Sequence, residues 1–543
     1  MSERASWDED FDVVVVGFGA AGASAAIQAA QDGARVLVLE RFAGGGATCR
    51  SGGVIYAGGG TPTQHAAGVQ DDAELMRSYL TRELRAEIPE ASLQAFCAAS
   101  LENVRWLGEL GISFPGKLFT GKTTQPPDGF GLYFSGNERQ LTPEAPAARG
   151  HVTGGTEMAG GKLFAALRQA AERFGVVVRT YTPVTALVAD AQGGVIGVEA
   201  RSLGDAPSAR ALHQALFGLA FATRSVIPTL RRLEQTMGRR RRVRALGGVV
   251  LAAGGFMFDD EMVRRHAPAY RGCVPLGTPA DDGSGIRLGT ALGAATDAMD
   301  CCAATRFHCT PESLAAGVAI NVRGERFCDE SLYGASVNRQ ITGQERGQAW
   351  LVIDRALHDR ARREMAQEPS LRDTSLRDLA SGRSHNLIYR KLTAALNLNV
   401  NRRRAATLAA LARQLDVPPD ALAATIAEHN QRLERGEPDA FGKPGACRGP
   451  VREAPFYAID LRLANLRFPA PCFTLGGLRI DHPSARVLRA DGTVIPGLYA
   501  AGRSSAGICA ASYVSGLSIA DAIFAGRNAG RDARRRAAEE RRP

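Results

Sequence analysis

Runs of apolar β-formers that stop abruptly at glycine, each followed by a helical stretch, recur along this chain. Near its start Val13, Val14, Val15 and Val16 run into Gly17-Phe18-Gly19-Ala20-Ala21-Gly22. An alanine-rich segment to about Asp32 then predicts a helix, and Val36 to Leu39 a second buried strand ending at Glu40. Helical patterning fills 71–110 and 162–174, and strands are expected over 176–182, 184–189 and 194–201, the last two meeting at a glycine turn. Gly247 to Phe256 repeats the strand-to-glycine pattern, and Asp281-Asp282-Gly-Ser-Gly opens a helix to Leu292. From about 296 to 470 strands and helices mix, with a helical pair near 405–435; the glycine-rich strand pattern returns at Leu475 and closes at Gly497 to Gly502, before a helix from Ser518. Strand alternating with helix predicts an α/β fold around a parallel sheet.

The first of these units has the chemistry of a dinucleotide site. Gly17 permits the tight turn, Gly19 lets backbone approach a pyrophosphate at the helix N-terminus, and Gly22 lets helix and strand pack closely. Glu40, about twenty residues on, suits the adenosine ribose hydroxyls. Spacing alone leaves FAD and NAD both open. Eight glycines between Gly44 and Gly60 suit backbone pressed against a flat ring or a phosphate. A flexible linker is the alternative, disfavoured by the interruption Val54-Ile55-Tyr56.

At 543 residues the chain has room for two domains and a closed site. Lys and Arg exceed Asp and Glu by ten, 66 against 56, largely in Arg239 to Arg244 and in the basic tail from Arg531. Such runs read as solvated faces or helix ends, and without an aromatic-interleaved reading motif no nucleic-acid partner is expected. Ten cysteines without CxxC spacing read as reduced thiols, so no metal site is expected. A polar, acidic start without an apolar core points to the cytoplasm. The segment 205–246 breaks the β pattern with an apolar half and a basic half; Leu212, Leu216 and Leu219 recur at helical spacing, while Arg224 and Pro228 interrupt any spanning helix. Two readings stay open: peripheral membrane or partner contact through 210–240, or an amphipathic helix packed on the protein's own surface.

The fingerprint, the loop GGGATCRSGG, the strand VVLAAGGF, the module RGERFCDE at 323–330 and the closing TLGGLRID, GLYAAG and SGLSIADAIFAGRNAG together resemble the fumarate reductase and succinate dehydrogenase flavoprotein superfamily. The resemblance covers nearly the whole chain and implies FAD. It further implies a Rossmann-like FAD-binding domain over 1–295 and 471–543, carrying the insert 205–246, and an α+β capping and catalytic domain over 296–470. Cofactor contacts carry over onto Gly17, Gly19, Ala20, Ala21, Gly22, Glu40 and Arg41, and onto Gly46, Ala47, Thr48, Ser51, Gly52 and Gly53. They carry over likewise onto Val184, onto Ala253, Gly254 and Gly255, onto Asp282, and onto Gly502, Arg503, Gly516, Leu517 and Ser518. Where covalent members place histidine this chain has Thr48-Cys49-Arg50-Ser51, so non-covalent FAD is expected.

The substrate is read from what the resemblance leaves out. Dicarboxylate-handling members present histidine and several arginines to two carboxylates. Here the corresponding stretches read Cys472-Phe473-Thr474-Leu475-Gly476-Gly477, Ala511-Ser512-Tyr513-Val514-Ser515-Gly516 and Glu330-Ser331-Leu332-Tyr333-Gly334. Without the cations each bound carboxylate would be desolvated and unpaired, at a cost of several kcal/mol per charge. The replacing phenols and hydroxyls suit a neutral carbonyl, and Tyr-x-Ser-Gly is similar to the 3-ketosteroid dehydrogenases, the Δ4-(5α) branch above all. That resemblance carries catalytic roles onto Tyr513, Ser515 and Tyr333: Tyr513 with Ser515 for a proton α to the ketone, and Tyr333 for polarising the carbonyl or relaying the proton. The two tyrosines' roles are exchangeable at this level, and Δ1 chemistry, another enone or ketone, dicarboxylate chemistry or flavin binding without turnover stay as alternatives. Tyr56 and Tyr133 either line the pocket or pack, and His308 reads as structural. With no second nucleotide fingerprint, electrons are expected to pass to a quinone or a soluble carrier.

Overall fold

Val13 to Val16 are apolar without alternation because both faces of their strand are covered. In the computed structural model, which describes residues 6–85, 87–204, 206–306, 308–368, 385–465 and 467–542, Val13 and Val15 enter one hydrophobic core and Val14 and Val16 another on the opposite face. The strand, β1 (Glu9–Val16), lies in a nine-stranded sheet with β2 (Val36–Leu39), β3 (Val177–Arg179), β4 (Val184–Ala189), β5 (Val195–Ser202), β6 (Arg239–Leu251), β7 (Ile480–Asp481), β8 (Arg486–Leu488) and β9 (Val494–Ala500). The order is β7-β8-β9-β6-β1-β2-β3, with β5 on the first half of β6 and β4 beyond it. β1 runs parallel to β6 and β2, as βαβ connections require.

Helix α1 (Ala20–Gln31) follows the glycine turn. Its alanines allow close approach by the terminal helix, and Gly526 and Gly530 of that helix have no room for a side chain: a Cβ would sit 2.4 Å from the Ala21 carbonyl oxygen and 2.3 Å from that of Ala25. Also framing the site are α2 (Ala73–Glu83), α3 (Gly160–Arg173), α4 (Pro207–Leu219), α5 (Ile227–Met237), α6 (Gly334–Thr342) and the terminal α7 (Leu517–Glu540). An antiparallel four-stranded sheet, ordered 318–320, 350–353, 456–460 and 402–405, forms around its own core further along the chain.

The segment 205–246 divides in two, its first residue lying outside the described residues. α4 and α5 make a helical hairpin, whereas the basic run Arg239 to Arg244 is not a helix end, although Arg239, Arg240 and Arg244 are exposed to solvent. It is the first half of β6, paired antiparallel with β5 from Ser202 to Gly197. Arginine is tolerated there because Arg240 pairs with Glu199 at 2.8 Å and Arg242 lies over the Trp7 ring at 5.0 Å. Among the described residues no helix is long and apolar enough to cross a membrane.

Candidate functional site

One continuous cavity of about 1100 Å³ reaches from the glycine turn after β1 to Tyr333, Tyr513 and Ser515. A drug-sized ligand needs roughly 300–1,000 Å³, so a cofactor and a second molecule can share this space. Gly17 makes the turn at φ +100°, and a Cβ there would lie 2.5 Å from the Ala252 carbonyl oxygen. Glu40 follows β2 directly, with each carboxylate oxygen fixed by a backbone N–H, from Phe18 and from Phe42, both at 2.7 Å. Burial raises its pKa, the two amides oppose that shift, and the remaining lone pairs suit ribose hydroxyls. Thr48 Oγ1 accepts from Ala20 N at 2.9 Å, tying the glycine loop to the start of α1. Arg503 donates to Asp281 at 2.7 Å and keeps a second, buried Nη without a partner among the described residues. A helix N-terminus, a ribose-accepting carboxylate and a spare guanidinium donor together fit an adenine dinucleotide such as FAD.

Gly17, Gly19, Ala20, Ala21, Glu40 and Arg41 line the cavity, as do Gly46, Ala47, Thr48, Ser51 and Gly52. So do Val184, Ala253, Gly254, Asp282, Gly502, Arg503, Gly516 and Ser518. Gly22, Gly53, Gly255 and Leu517 lie outside the lining. The three glycines serve close packing, since a Cβ would meet Gly17 O at 2.0 Å, the Ala159 carbonyl carbon at 2.6 Å and Thr474 Oγ1 at 2.3 Å respectively, and Leu517 is buried in the core.

At the other end of the cavity the chain brings together tyrosines from three distant segments. The Tyr333 and Tyr513 ring centroids are 6.4 Å apart, and Tyr513 stands edge-on to Phe473 at 5.0 Å. Burial pushes Tyr513 up to about 12, while the Gly516 backbone N–H, bonded to its hydroxyl, pulls the other way. Burial drives Tyr333 well above its ordinary value, with the charges of Tyr513 and Tyr133 adding to that, against a hydrogen bond from Ser515. Ser515 is therefore a neighbour of Tyr333, and its Oγ also lies 2.9 Å from the hydroxyl of Tyr133. Tyr133 is fully buried behind the wall and also bonds the Thr124 carbonyl at 2.9 Å. Tyr56 packs in the core.

The loop carrying Tyr333 is held from both sides. Asn137 Oδ1 accepts from Tyr333 N at 2.5 Å, and Asn137 Nδ2 donates to Glu83 at 2.7 Å. Glu83, the last residue of α2, also accepts from Tyr79, from Ser336 of α6 and from Ser512, each at 3.1 Å. One buried carboxylate thus joins the segment bearing Tyr333 to the residue before Tyr513. His308 is buried and bonds the carbonyls of Arg306 and Glu330 at 3.1 and 2.9 Å, a structural role just ahead of Tyr333. Glu330 itself is locked by Arg326 and Lys443 at 2.7 and 2.8 Å.

Charge is unevenly spread along the cavity. Arg41, Arg231 and Arg287 answer Asp282, Glu234 and Asp259 near Glu40. Beside the tyrosines stand Phe473, Pro471, Thr305, Leu276 and Tyr389, with Arg503 over the Phe473 ring at 5.5 Å, one Nη paired to Asp281 and the other the spare cationic donor. Among the described lining residues there is no histidine. This end therefore suits a neutral apolar molecule with a polar carbonyl, and fits poorly with two carboxylates. Phe473 and Tyr389 here, and Gln214, Phe217, Phe221 and Gln235 of the α4–α5 hairpin at the other end, escaped sequence reasoning as site residues, since no motif spans residues that only folding makes neighbours.

The model of the FAD binding domain family matches residues 12–516. The chain is 31% identical to the 3-oxo-5-alpha-steroid 4-dehydrogenase of Comamonas testosteroni, covering 92% of this chain and 94% of that protein. It is 27% identical to the 3-oxosteroid 1-dehydrogenase of Mycobacterium tuberculosis, over 93% and 94% of the respective chains. It superposes at TM-score 0.78, with 32% identity and 98% coverage of both chains, on the 3-ketosteroid-Δ4-(5α)-dehydrogenase of Rhodococcus jostii RHA1 in complex with 4-androstene-3,17-dione.

Proposed function

This chain belongs to the FAD binding domain family of flavoproteins, and from that premise we propose that it is an FAD-dependent 3-ketosteroid dehydrogenase that introduces a C4–C5 double bond into a saturated 3-ketosteroid. The observation that carries this reading is the single cavity joining a dinucleotide cradle to a carbonyl-suited end built of Tyr333, Tyr513 and Ser515. The likeness to the Comamonas and Rhodococcus proteins supports the Δ4-(5α) assignment; the likeness to the 1-dehydrogenase keeps Δ1 chemistry as the second reading. Non-covalent FAD, a quinone or soluble electron acceptor, a role in steroid breakdown and the domain division 1–295, 296–470 and 471–543 belong to the same proposal. Residues along the cavity from Gly17 and Glu40 to Arg503 and Gly516 would hold FAD.

FAD, when bound, supplies the hydride acceptor for the hydrogen on C5. The protein's residues handle the proton on C4 and the ketone. Tyr333, whose phenol burial keeps protonated, donates to the C3 oxygen as enolate character develops. Tyr513, with the Gly516 N–H favouring its phenolate, takes the C4 proton. Ser515 bridges Tyr333 to Tyr133, whose other partner is the Thr124 carbonyl, so the donor hydroxyl is oriented by a fixed chain. Phe473 excludes water beside Tyr513.

Anaerobic titration of the yellow protein with 5α-3-ketosteroids, 4-ene-3-ketosteroids and succinate tests the assignment. Bleaching of the flavin by 5α-3-ketosteroids is expected. Bleaching by 4-ene-3-ketosteroids alone would move the new bond to Δ1, and bleaching by succinate alone would end the steroid reading.

A further inference from the structure

The helical hairpin α4–α5 is an excursion from an otherwise continuous β-hairpin, since β5 and β6 pair up to Ser202 and Arg239 on either side of it. It folds back onto the start of the nucleotide cradle rather than projecting away. Glu234 of α5 takes Arg41 in a bidentate pair at 2.7 and 3.0 Å and His213 of α4 at 2.7 Å. Arg231 and Arg41 both bond Asp282 at 2.8 Å. Phe217 stacks on Phe42, two residues past Glu40, at 4.1 Å, and Arg50 of the glycine loop lies over Phe221 at 4.5 Å. The clasp thus reaches β2, the glycine loop and the Asp282 turn. The inner side of the hairpin, including Gln214, Phe217 and Gln235, forms cavity wall beside Glu40.

We infer that the α4–α5 hairpin is a cover over the adenosine half of FAD, supplying aromatic and amide wall to that half and slowing its release. This rests on the flavoprotein reading but not on the steroid one. Glu40 assigns the ribose to this end of the cavity, so the neighbouring wall faces the adenine. Aromatic and amide groups suit a flat, hydrogen-bonding base. Because α4 and α5 bridge three separate segments of the cradle, the adenosine half leaves only after the ion pairs of Glu234 and Arg231 part. The same packing places Leu212, Leu219 and Met237 on the outer face, each about half exposed.

The test compares wild-type holoprotein with three variants: excision of 203–238 and closure of β5 to β6 by Asn-Gly, Phe217→Ala, and Glu234→Gln. FAD release is followed by flavin fluorescence on dilution, and the apoproteins are melted in parallel. We expect excision to speed FAD release at least tenfold and both point variants to speed it severalfold, beyond what the change in their apoprotein melting temperatures accounts for. If the excised protein does not fold, the point variants decide. FAD release at the wild-type rate from both of them overturns the inference, as does an acceleration that merely tracks a loss of apoprotein stability. A wild-type protein that carries no FAD would instead overturn the flavoprotein reading itself.

Discussion

The hydroxyl of Tyr133 lies 2.9 Å from Ser515 Oγ, although 382 positions separate them in sequence. The Tyr133 hydroxyl donates its one proton between Ser515 Oγ and the Thr124 carbonyl, which leaves the hydroxyl hydrogen of Ser515 to turn toward Tyr333. The serine links a buried phenol to the one that faces the cavity, and so sets how Tyr333 is oriented.

Removing the phenol of Tyr513 leaves the cavity's shape almost intact but deletes the proposed base. Tyr513→Phe is expected to lower the rate of flavin reduction by roughly 10²–10⁴-fold, the usual span for a lost acid–base group, with FAD content unchanged. Stopped-flow bleaching with a 5α-3-ketosteroid reads this directly.

The alkaline behaviour follows from the same group. With Tyr513 held up to about 12, the phenolate fraction grows with every step in pH between about 7 and 10, so kcat/KM rises across that window without a plateau. Stability moves the opposite way. An unfolded tyrosine ionises near 10 while the folded one keeps its proton until about 12, so stability from this group is fully present below about pH 10 and is lost as pH rises through about 12. A pH–rate profile set beside melting curves between pH 8 and 12 should show both trends; a rate plateau near pH 8 would assign the base elsewhere.

Ser515→Ala and Tyr133→Phe each break the chain behind Tyr333 without touching Tyr513. Both are expected to cost about tenfold in kcat while keeping the rising pH limb, because donor orientation suffers and the base does not. Steady-state profiles of the two variants, compared with wild type, check this.

Glu83 accepts hydrogen bonds from Tyr79, Asn137, Ser336 and Ser512. Glu83→Ala leaves four donors without their acceptor, and each buried unsatisfied group costs about 1–3 kcal/mol, so marked destabilisation is expected. Glu83→Gln keeps the volume but not the four-fold acceptor. Its melting temperature should fall less, while kcat falls more than KM changes, since it loosens Tyr333 and Tyr513 relative to each other.

Gly17→Ala forces a Cβ to within 2.5 Å of the Ala252 carbonyl at a positive φ. The expected product is a poorly folded or FAD-free protein, read from the ratio of flavin to protein absorbance after purification.

The sequence by itself determined the βαβ unit and much of the nucleotide cradle. Those features are local: an uninterrupted valine strand announces burial on both faces, and Gly22 answers a backbone contact with Gly17 five residues before it, whereas the Ala252 carbonyl that crowds Gly17 itself comes from a distant strand. The resemblance to the flavoprotein superfamily further implied that tyrosine and serine stand where its dicarboxylate-handling members carry cationic residues, because the motifs that align them are contiguous in sequence. Tertiary structure alone decided the partners. Ser515 bonds Tyr133 and neighbours Tyr333, Glu83 gathers hydroxyls from both sides of the cavity, and the basic run after Gly238 lies in a strand. The α4–α5 hairpin reads in sequence as an amphipathic pair seeking any apolar surface; packing against Arg41 and Phe42 chose the nucleotide cradle. Periodicity records which face of an element is apolar, whereas the element that meets it is fixed by the summed packing of the whole chain.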